Sequence, residues 1–289
     1  MASTPLDMTS AAPVLEPDWL GACRRAAEAL QEIIAAATAR ADRTLETGTR
    51  GEGGDRTLVI DQQAEDAVFH ELEALHEAGA RFTAISEERG TVDFGDPGVL
   101  VVIDPIDGST NAKRGLPHAA LSVAVANGPT MADVQFGFVA DMSTGDEWVA
   151  RRGRGVVFGG EALADPAPPE RRTRAGKLEV VAIESADPKW MGPAMDRLCE
   201  HVHRLRIMGS IAISLCQVAS SRVDGMVTLW KSRAVDCAAA QLVVRESGGV
   251  VAFPGCDEPL GFALDLDAKA PVVGARTHED LERLLAVIA

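Results

Sequence analysis

Two aspartates stand three residues apart around a proline in the stretch VVIDPIDGSTN, Val101 to Asn111. The run from Val99 to Ile103 is apolar on both faces, which predicts a buried strand ending at Asp104. The C-terminal edge of such a strand is where layered α/β proteins hold ligands. Pro105 forces a turn and lacks a backbone donor, which leaves the Ile106 carbonyl to face the same way as Asp104 and Asp107. Two carboxylates and a carbonyl suit a hard cation, Mg2+ above all, which takes one or two carboxylates and keeps room for substrate phosphate. Gly108, Ser109 and Thr110 then open a helix or turn, offering N–H groups and hydroxyls to an anion. The same residues also suit an Asx turn with Asp107 as a helix cap, and so short a motif does not separate the two.

Further acidic groups favour the cation. Glu87 and Glu88 (SEERG) end the preceding predicted strand, Asp236 stands ahead of an Ala-rich helix whose small residues permit close packing, and Asp61 opens another helix. The elements that must position them are legible from periodicity. Helices are predicted from Trp19 to about Leu45 and from Asp61 to Ala78, with Gly79 as the stop. Strands are predicted at RFTAIS and GVLVVID, followed by an antiparallel meander through HAALSVAVAN, DVQFGFVADMST and GDEWVARR. Beyond a Pro-rich, charged linker at Ala164–Arg174, helix and strand alternate. KLEVVAIE, HRLRIMG, DGMVTLW, GGVVAF and PVVGAR read as strands, and GPAMDRLCEHV, SIAISLCQVASS, VDCAAAQLVVRES and THEDLERLLAVIA read as helices. The expected class is α+β followed by α/β layers. The expected division is a loose tail at 1–18, an N-terminal half at 19–164 carrying the motif, and a C-terminal half at 175–289 completing the site.

Composition removes several alternatives. The chain has 289 residues, 28 Lys and Arg against 43 Asp and Glu, and a net charge of −15. Such a surface repels nucleic acid and anionic membrane, and it repels a phosphorylated substrate unless bound cations reverse the local sign. RRGRG (Arg151–Gly155) reads as a solvated hairpin turn, and GEGGDR lacks the G-K-[ST] ending of a nucleotide loop. The five cysteines are odd in number and scattered, which argues against a disulfide framework and fits a reducing cytosol with each thiol a small core residue. The six histidines lack H-x-x-x-H or H-E-x-x-H spacing, so zinc is not expected. No signal peptide is read in the first 23 residues, which hold no Lys or Arg. A cytoplasmic protein with no membrane partner is the expectation.

DPIDGSTNAKRGLP, with SEE before it and VDCAAAQLVVRESGG after it, resembles the inositol monophosphatase superfamily of Mg2+-dependent, lithium-sensitive phosphatases. The likeness runs from about Trp19 to the end, through a meander similar to GFVADMSTGDEWVARRGRGVVFGGEAL. It implies a layered αβαβα sandwich of the sugar-phosphatase type, two or three Mg2+ per site, and a homodimer. It also implies roles. Glu87, Asp104 and the Ile106 carbonyl would hold one cation, and Asp104, Asp107 and Asp236 a second. Asp61, with a hydroxyl near Ser109, would orient the attacking water; Gly108, Ser109 and Thr110 would cradle the phosphate, and Gly209 and Ser210 would face the substrate. The sequence departs from the family pattern at Val235 (usually Trp), Ala240 (usually Gly) and Ala112 (commonly Phe). It also lacks the Glu about seven residues before Asp236 that meets inositol hydroxyls in animal-type enzymes. The nearby Lys231 and Arg233 resemble the subgroup of archaeal-type enzymes acting on both inositol phosphate and fructose 1,6-bisphosphate. They either meet a second phosphate or balance an acidic surface. Inositol 1-phosphate is the first expected substrate, fructose 1,6-bisphosphate the second and 3′-phosphoadenosine 5′-phosphate the third. A non-catalytic metal- or phosphate-gated interaction module is the reading from a different class.

Overall fold

Apolar runs punctuated by Gly, Pro and Asp turns pair into two large sheets, and the amphipathic segments cover them as helices. The structure, a computed structural model, describes residues 13–36, 46–50, 56–163, 173 and 175–288. Most of the predicted tail and linker, and the helical extension to Leu45, lie outside the described residues. Helix α1 (Trp19–Ala36) is followed by a short antiparallel ladder, β1 (Glu46–Arg50) with β2 (Arg56–Leu58), and by α2 (Val59–Glu77).

The first sheet contains β3 (Thr83–Ser86), β4 (Gly90–Asp93), β5 (Leu100–Asp107), β6 (Ala120–Ala126), β7 (Val134–Asp141), β8 (Glu147–Arg151), β9 (Val156–Phe158) and β10 (Glu161–Ala162). Their order is β10-β9-β8-β7-β6-β5-β3-β4. β6, β7 and β8 form the predicted antiparallel meander, which β5 and β9 extend on either side, while β3 and β5 run parallel. A short helix, α3 (Ser109–Arg114), separates β5 from β6. The second half supplies β11 (Leu178–Glu184), α4 (Pro188–His201), β12 (Val202–Arg206), α5 (Ile211–Ala219), β13 (Gly225–Thr228), α6 (Ala238–Glu246), β14 (Val250–Ala252), β15 (Val273–Ala275) and α7 (His278–Ile288). Its sheet runs β12-β11-β13-β15-β14, with β12, β11 and β13 parallel.

Helices α1 and α2 pack on the outer face of the first sheet, α5 and α6 lie between the sheets, and α4 and α7 cover the second. This is the αβαβα sandwich, with buried clusters filling the spaces between layers. Composition explains which helices go inside. Every residue of α5 is buried, as an all-round apolar helix requires. Ala238–Ala240 of α6 let its backbone settle onto β7, where a Cβ on Gly137 would lie 2.6 Å from the Ala239 carbonyl oxygen.

Several boundaries differ from the sequence expectation. Helix α4 starts at Pro188, not Gly192: the Asp187 carboxylate accepts from Lys189 N at 2.9 Å and caps it, and proline is well placed in a first turn. Helix α2 starts at Val59, so Asp61 lies within its first turn, where the helix dipole favours an anion. All five cysteines are free. Cys23, Cys216 and Cys237 are buried and Cys256 partly so, but Cys199 is exposed rather than in the core. Among the described residues no helix is long and apolar enough to cross a membrane.

Glu65 of α2 is buried under β3, where it accepts from Ser86 Oγ at 2.8 Å while its Oε1 has no partner. Burial pushes its carboxyl from 4.5 up to about 7, against the Ser86 hydrogen bond. Between those values the native state keeps a proton that the unfolded chain has lost, so its contribution to stability falls as pH rises and is gone above about 7. Glu65→Gln is therefore expected to stabilise the fold by about 2 kcal/mol at pH ~8 and by little at pH ~4.5. Denaturant melts at both pH values check this; an equal difference at both would refute it.

Candidate active site

The motif is one strand with a defect in it. β5 does not end at Asp104 as its sequence predicts but continues through Pro105 to Asp107. Asp104 pairs with Ser122 and Asp107 with Ala120 on β6, so three steps along β5 match two along its neighbour. In an unbroken strand, residues three apart point to opposite faces. The extra residue of the bulge restores parity and brings both carboxylates to the same side. Proline suits that position because a bulged residue leaves the ladder. The Asp104 carboxylate accepts from Ile106 N at 3.0 Å, which closes the turn over Pro105.

Register delivers the next group. β3 and β5 are parallel with Ser86 opposite Ile103, so Glu87 emerges level with Asp104. Asp236, just ahead of α6, is carried in by the packing of that helix on the first sheet. Carboxylate oxygens of Glu87, Asp104 and Asp236 lie within 4.8 Å of one another. Burial, then repulsion from Glu87, Asp107 and Asp236, holds the Asp104 carboxyl well above its ordinary range. Burial also raises Asp236, with Arg233 opposing. The group the cluster lacks is a positive charge. The Arg233 guanidinium supplies part of it, donating to Glu87 at 2.7 Å and to Asp236 at 3.4 Å. Burial works against the charge of Arg233, but Asp236 and Glu87 outweigh it and keep it protonated.

Asp107 is tied across the layers instead. Its Oδ2 accepts from Ser210 Oγ and from Ala212 N, both at 2.6 Å. Ser210 also caps α5, accepting from Ile213 N at 3.1 Å. Burial pushes the Asp107 carboxyl up to about 7, against the Ser210 hydrogen bond. Gly108 takes φ +93°, and a Cβ there would lie 2.6 Å from the His118 carbonyl oxygen and 3.1 Å from that of Gly209. Asn111 locks the same junction, its Nδ2 donating to the carbonyls of His118 and Met208.

The carboxylate cluster, Asp107, Gly108 and Arg233 line a cavity of about 390 Å³. Of the residues read from the sequence, it gathers Glu87, Asp104, Ile106, Asp107, Gly108, Ser109, Gly209, Arg233 and Asp236. The close carboxylate triple takes one member from each predicted cation set plus the Asp104 they share, and Asp107 stands outside it. Asp61, Thr110, Ser210 and Lys231 are not among the lining residues: Thr110 and Lys231 are exposed, and the Ser210 hydroxyl is spent on Asp107. Arg233 is engaged with the carboxylates rather than held out toward a second anion.

Glu184, at the end of β11, is a site residue that the sequence motifs do not name. It lines the cavity and accepts from Met208 N, Gly209 N and Ser214 Oγ at 3.1, 3.0 and 2.7 Å. The signal was present in KLEVVAIE, where a carboxylate ends an apolar run as Asp104 does. Burial raises the Glu184 carboxyl despite these donors. Glu184→Ala leaves buried donors unpaired; the expected cost is about 3 kcal/mol of stability and a ~10–100-fold loss of turnover. Melts and initial rates measure both, and wild-type rates in a folded variant would show that the turn holds without it.

Comparison with known proteins identifies the family of the chain. The model of the inositol monophosphatase family, a family of phosphoric monoester hydrolases, matches residues 16–288. A fructose-1,6-bisphosphatase/inositol-1-monophosphatase of Methanothermobacter thermautotrophicus is 32% identical over 93% of this chain and 97% of its own. A Nus factor SuhB of Haemophilus influenzae is 32% identical over 82% of this chain and 84% of its own. In fold, the chain superposes on a Pyrococcus horikoshii protein described as similar to inositol-1 monophosphatase. That match has a TM-score of 0.72 and 24% identity, over 94% of this chain and 98% of that one. The chain thus belongs to the inositol monophosphatase family, with the layered fold its relatives share.

Proposed function

We propose that this chain is a Mg2+-dependent phosphomonoesterase acting on a small polyol or sugar phosphate, with inositol 1-phosphate as its first substrate. The observation that carries this is the Glu87–Asp104–Asp236 cluster facing the same cavity as Gly108 and Ser109. An all-oxygen donor set fits Mg2+, and carboxyls raised by burial and mutual repulsion fit a site completed by cations. Two or three Mg2+, held by Glu87, Asp104, the Ile106 carbonyl, Asp107 and Asp236, would supply Lewis acidity and neutralise the dianionic ester.

The chain's own residues do the rest. Gly108, with Ser109 and Thr110, seats the phosphate against backbone N–H groups. Asp61, in the first turn of α2, and Ser109 orient the attacking water. Gly209, fixed by Glu184, shapes the wall toward the leaving group. The halves at 19–164 and 175–289, a homodimer and a cytoplasmic location belong to the same proposal.

A second reading is fructose 1,6-bisphosphate, alone or beside inositol phosphate. Arg233 on the cavity wall favours it, since a guanidinium there meets a second phosphate when it turns from the carboxylates, and so does the name of the Methanothermobacter relative. Phosphate release from both esters, with Mg2+ and with EDTA, tests the proposal. Mg2+-dependent turnover of inositol 1-phosphate supports it, preference for the bisphosphate moves it to the second reading, and silence on both sinks it. In that last case 3′-phosphoadenosine 5′-phosphate and a non-catalytic module are next in line.

A further inference from the structure

Trp190 and Trp230 stack face to face on the surface, with ring centroids 3.9 Å apart and planes 8° from parallel. The other two tryptophans, Trp19 and Trp148, are buried in the core, whereas Trp230 is 48% exposed. A stacked indole pair with one ring exposed and the other half-buried is an unusual use of the residue type that contributes most to binding surfaces.

Its place in the fold says what it faces. Strands β12, β11 and β13 are parallel and end together, so the segments that leave them share one edge. Those segments build one wall of the cavity, with Ser185 and Ala186 after β11, Ile207 and Gly209 after β12, and Arg233 after β13. Trp190 lies four residues beyond Ala186, in the first turn of α4, and Trp230 lies three before Arg233. Leu229 N donates to the Glu184 carbonyl at 3.0 Å, which anchors the start of the Trp230 segment beside a cavity-lining residue. Ile207, a lining residue itself, is 59% exposed and adds apolar surface to the cavity wall. Two lysines stand nearby in a chain of −15: Lys189 Nζ lies 5.0 Å from the Trp190 ring centroid while also paired with Asp187 at 3.1 Å, and Lys231 follows Trp230 in the chain. A flat apolar face carried by segments whose neighbouring residues line the cavity, with two lysines close by, complements a ring that carries a phosphate.

We propose that the Trp190–Trp230 pair is the platform for the leaving group, whose ring lies with its C–H face on the exposed indole. It selects ring-bearing phosphate esters over open-chain ones. This rests on the phosphatase proposal for the chemistry but concerns different residues.

The test compares kcat/KM for inositol 1-phosphate with that for glycerol 2-phosphate, an open-chain ester, in wild type, Trp230→Ala, Trp190→Ala and Trp230→Phe. The ring-to-open-chain ratio is expected to fall about tenfold in both alanine variants, a stacking contribution of about 1.4 kcal/mol, and to be largely restored in Trp230→Phe. An unchanged ratio, or equal losses on both esters, overturns the proposal. Indole fluorescence titrated with inositol 1-phosphate is the readout independent of turnover. A signal present in wild type and absent in Trp230→Ala supports the platform even if no ester is hydrolysed, which would sink the phosphatase proposal alone; no signal in wild type sinks the platform. Sedimentation covers the competing occupant, a second copy of the chain. A dimer that Trp230→Ala dissolves, with the ester ratio intact, assigns the pair to an interface and overturns the proposal.

Discussion

Asp104→Asn is expected to lower kcat/KM at saturating Mg2+ by about a thousandfold or more while leaving the fold intact. Asparagine is nearly isosteric, and its carbonyl can still accept from Ile106 N as the Asp104 carboxylate does. What is lost is the charge at the centre of the cluster, the one carboxylate repelled by Glu87, Asp107 and Asp236 together. Cation stabilisation of the transition state is worth several kcal/mol, and losing about 4 kcal/mol corresponds to roughly three orders of magnitude. Removing a buried like charge relieves repulsion in the cation-free protein. The variant in EDTA should therefore melt no lower than wild type, and Mg2+ should raise its melting temperature less. Kinetics and melts with and without Mg2+ check both halves. Near-normal turnover would end the assignment of Asp104 as a shared ligand.

Gly108→Ala should damage both stability and activity, for a reason no single segment contains. At φ +93° an alanine carries left-handed strain of about 1–2 kcal/mol. Its Cβ would also stand 2.6 Å from the His118 carbonyl oxygen and 3.1 Å from that of Gly209. These are backbone atoms, so a whole segment must shift, and overpacking of this kind adds about 1–3 kcal/mol. The sum, roughly 3 kcal/mol, lowers Tm by about 5–10 °C. The segments that must move carry Asp107 on one side and the Gly209 turn on the other. Small misplacements at a reacting centre cost about 100-fold, and a loss of that size in kcat is expected. Calorimetry and initial rates measure it; a variant with wild-type Tm and kcat would show that the three segments of the junction, at Gly108, His118 and Gly209, are not in contact.

Short-range chemistry determined much of this protein in its sequence. The acidic strand end, the Gly108 turn, the Ala-rich stretch after Asp236 and the meander all follow from residue type and periodicity within about ten positions, which is the range over which backbone propensity acts. Tertiary structure decided what depends on the pairing of distant segments. Whether Asp104 and Asp107 share a face depends on the bulge against β6, and whether Glu87 joins them depends on the parallel register of β3 with β5. Ser210 reads as a substrate contact in the sequence but bonds Asp107 across 103 residues, and Arg233 reaches Glu87 across 146. Glu184 became a site residue because three parallel strands end together beside the first sheet. Such contacts arise when two sheets close on α5 and α6, and no local pattern encodes them because the helices that set the distance are buried by apolar area, which is non-directional. The exposed Trp190–Trp230 stack is the same kind of outcome, two residues 40 positions apart made neighbours by adjacent strands β11 and β13.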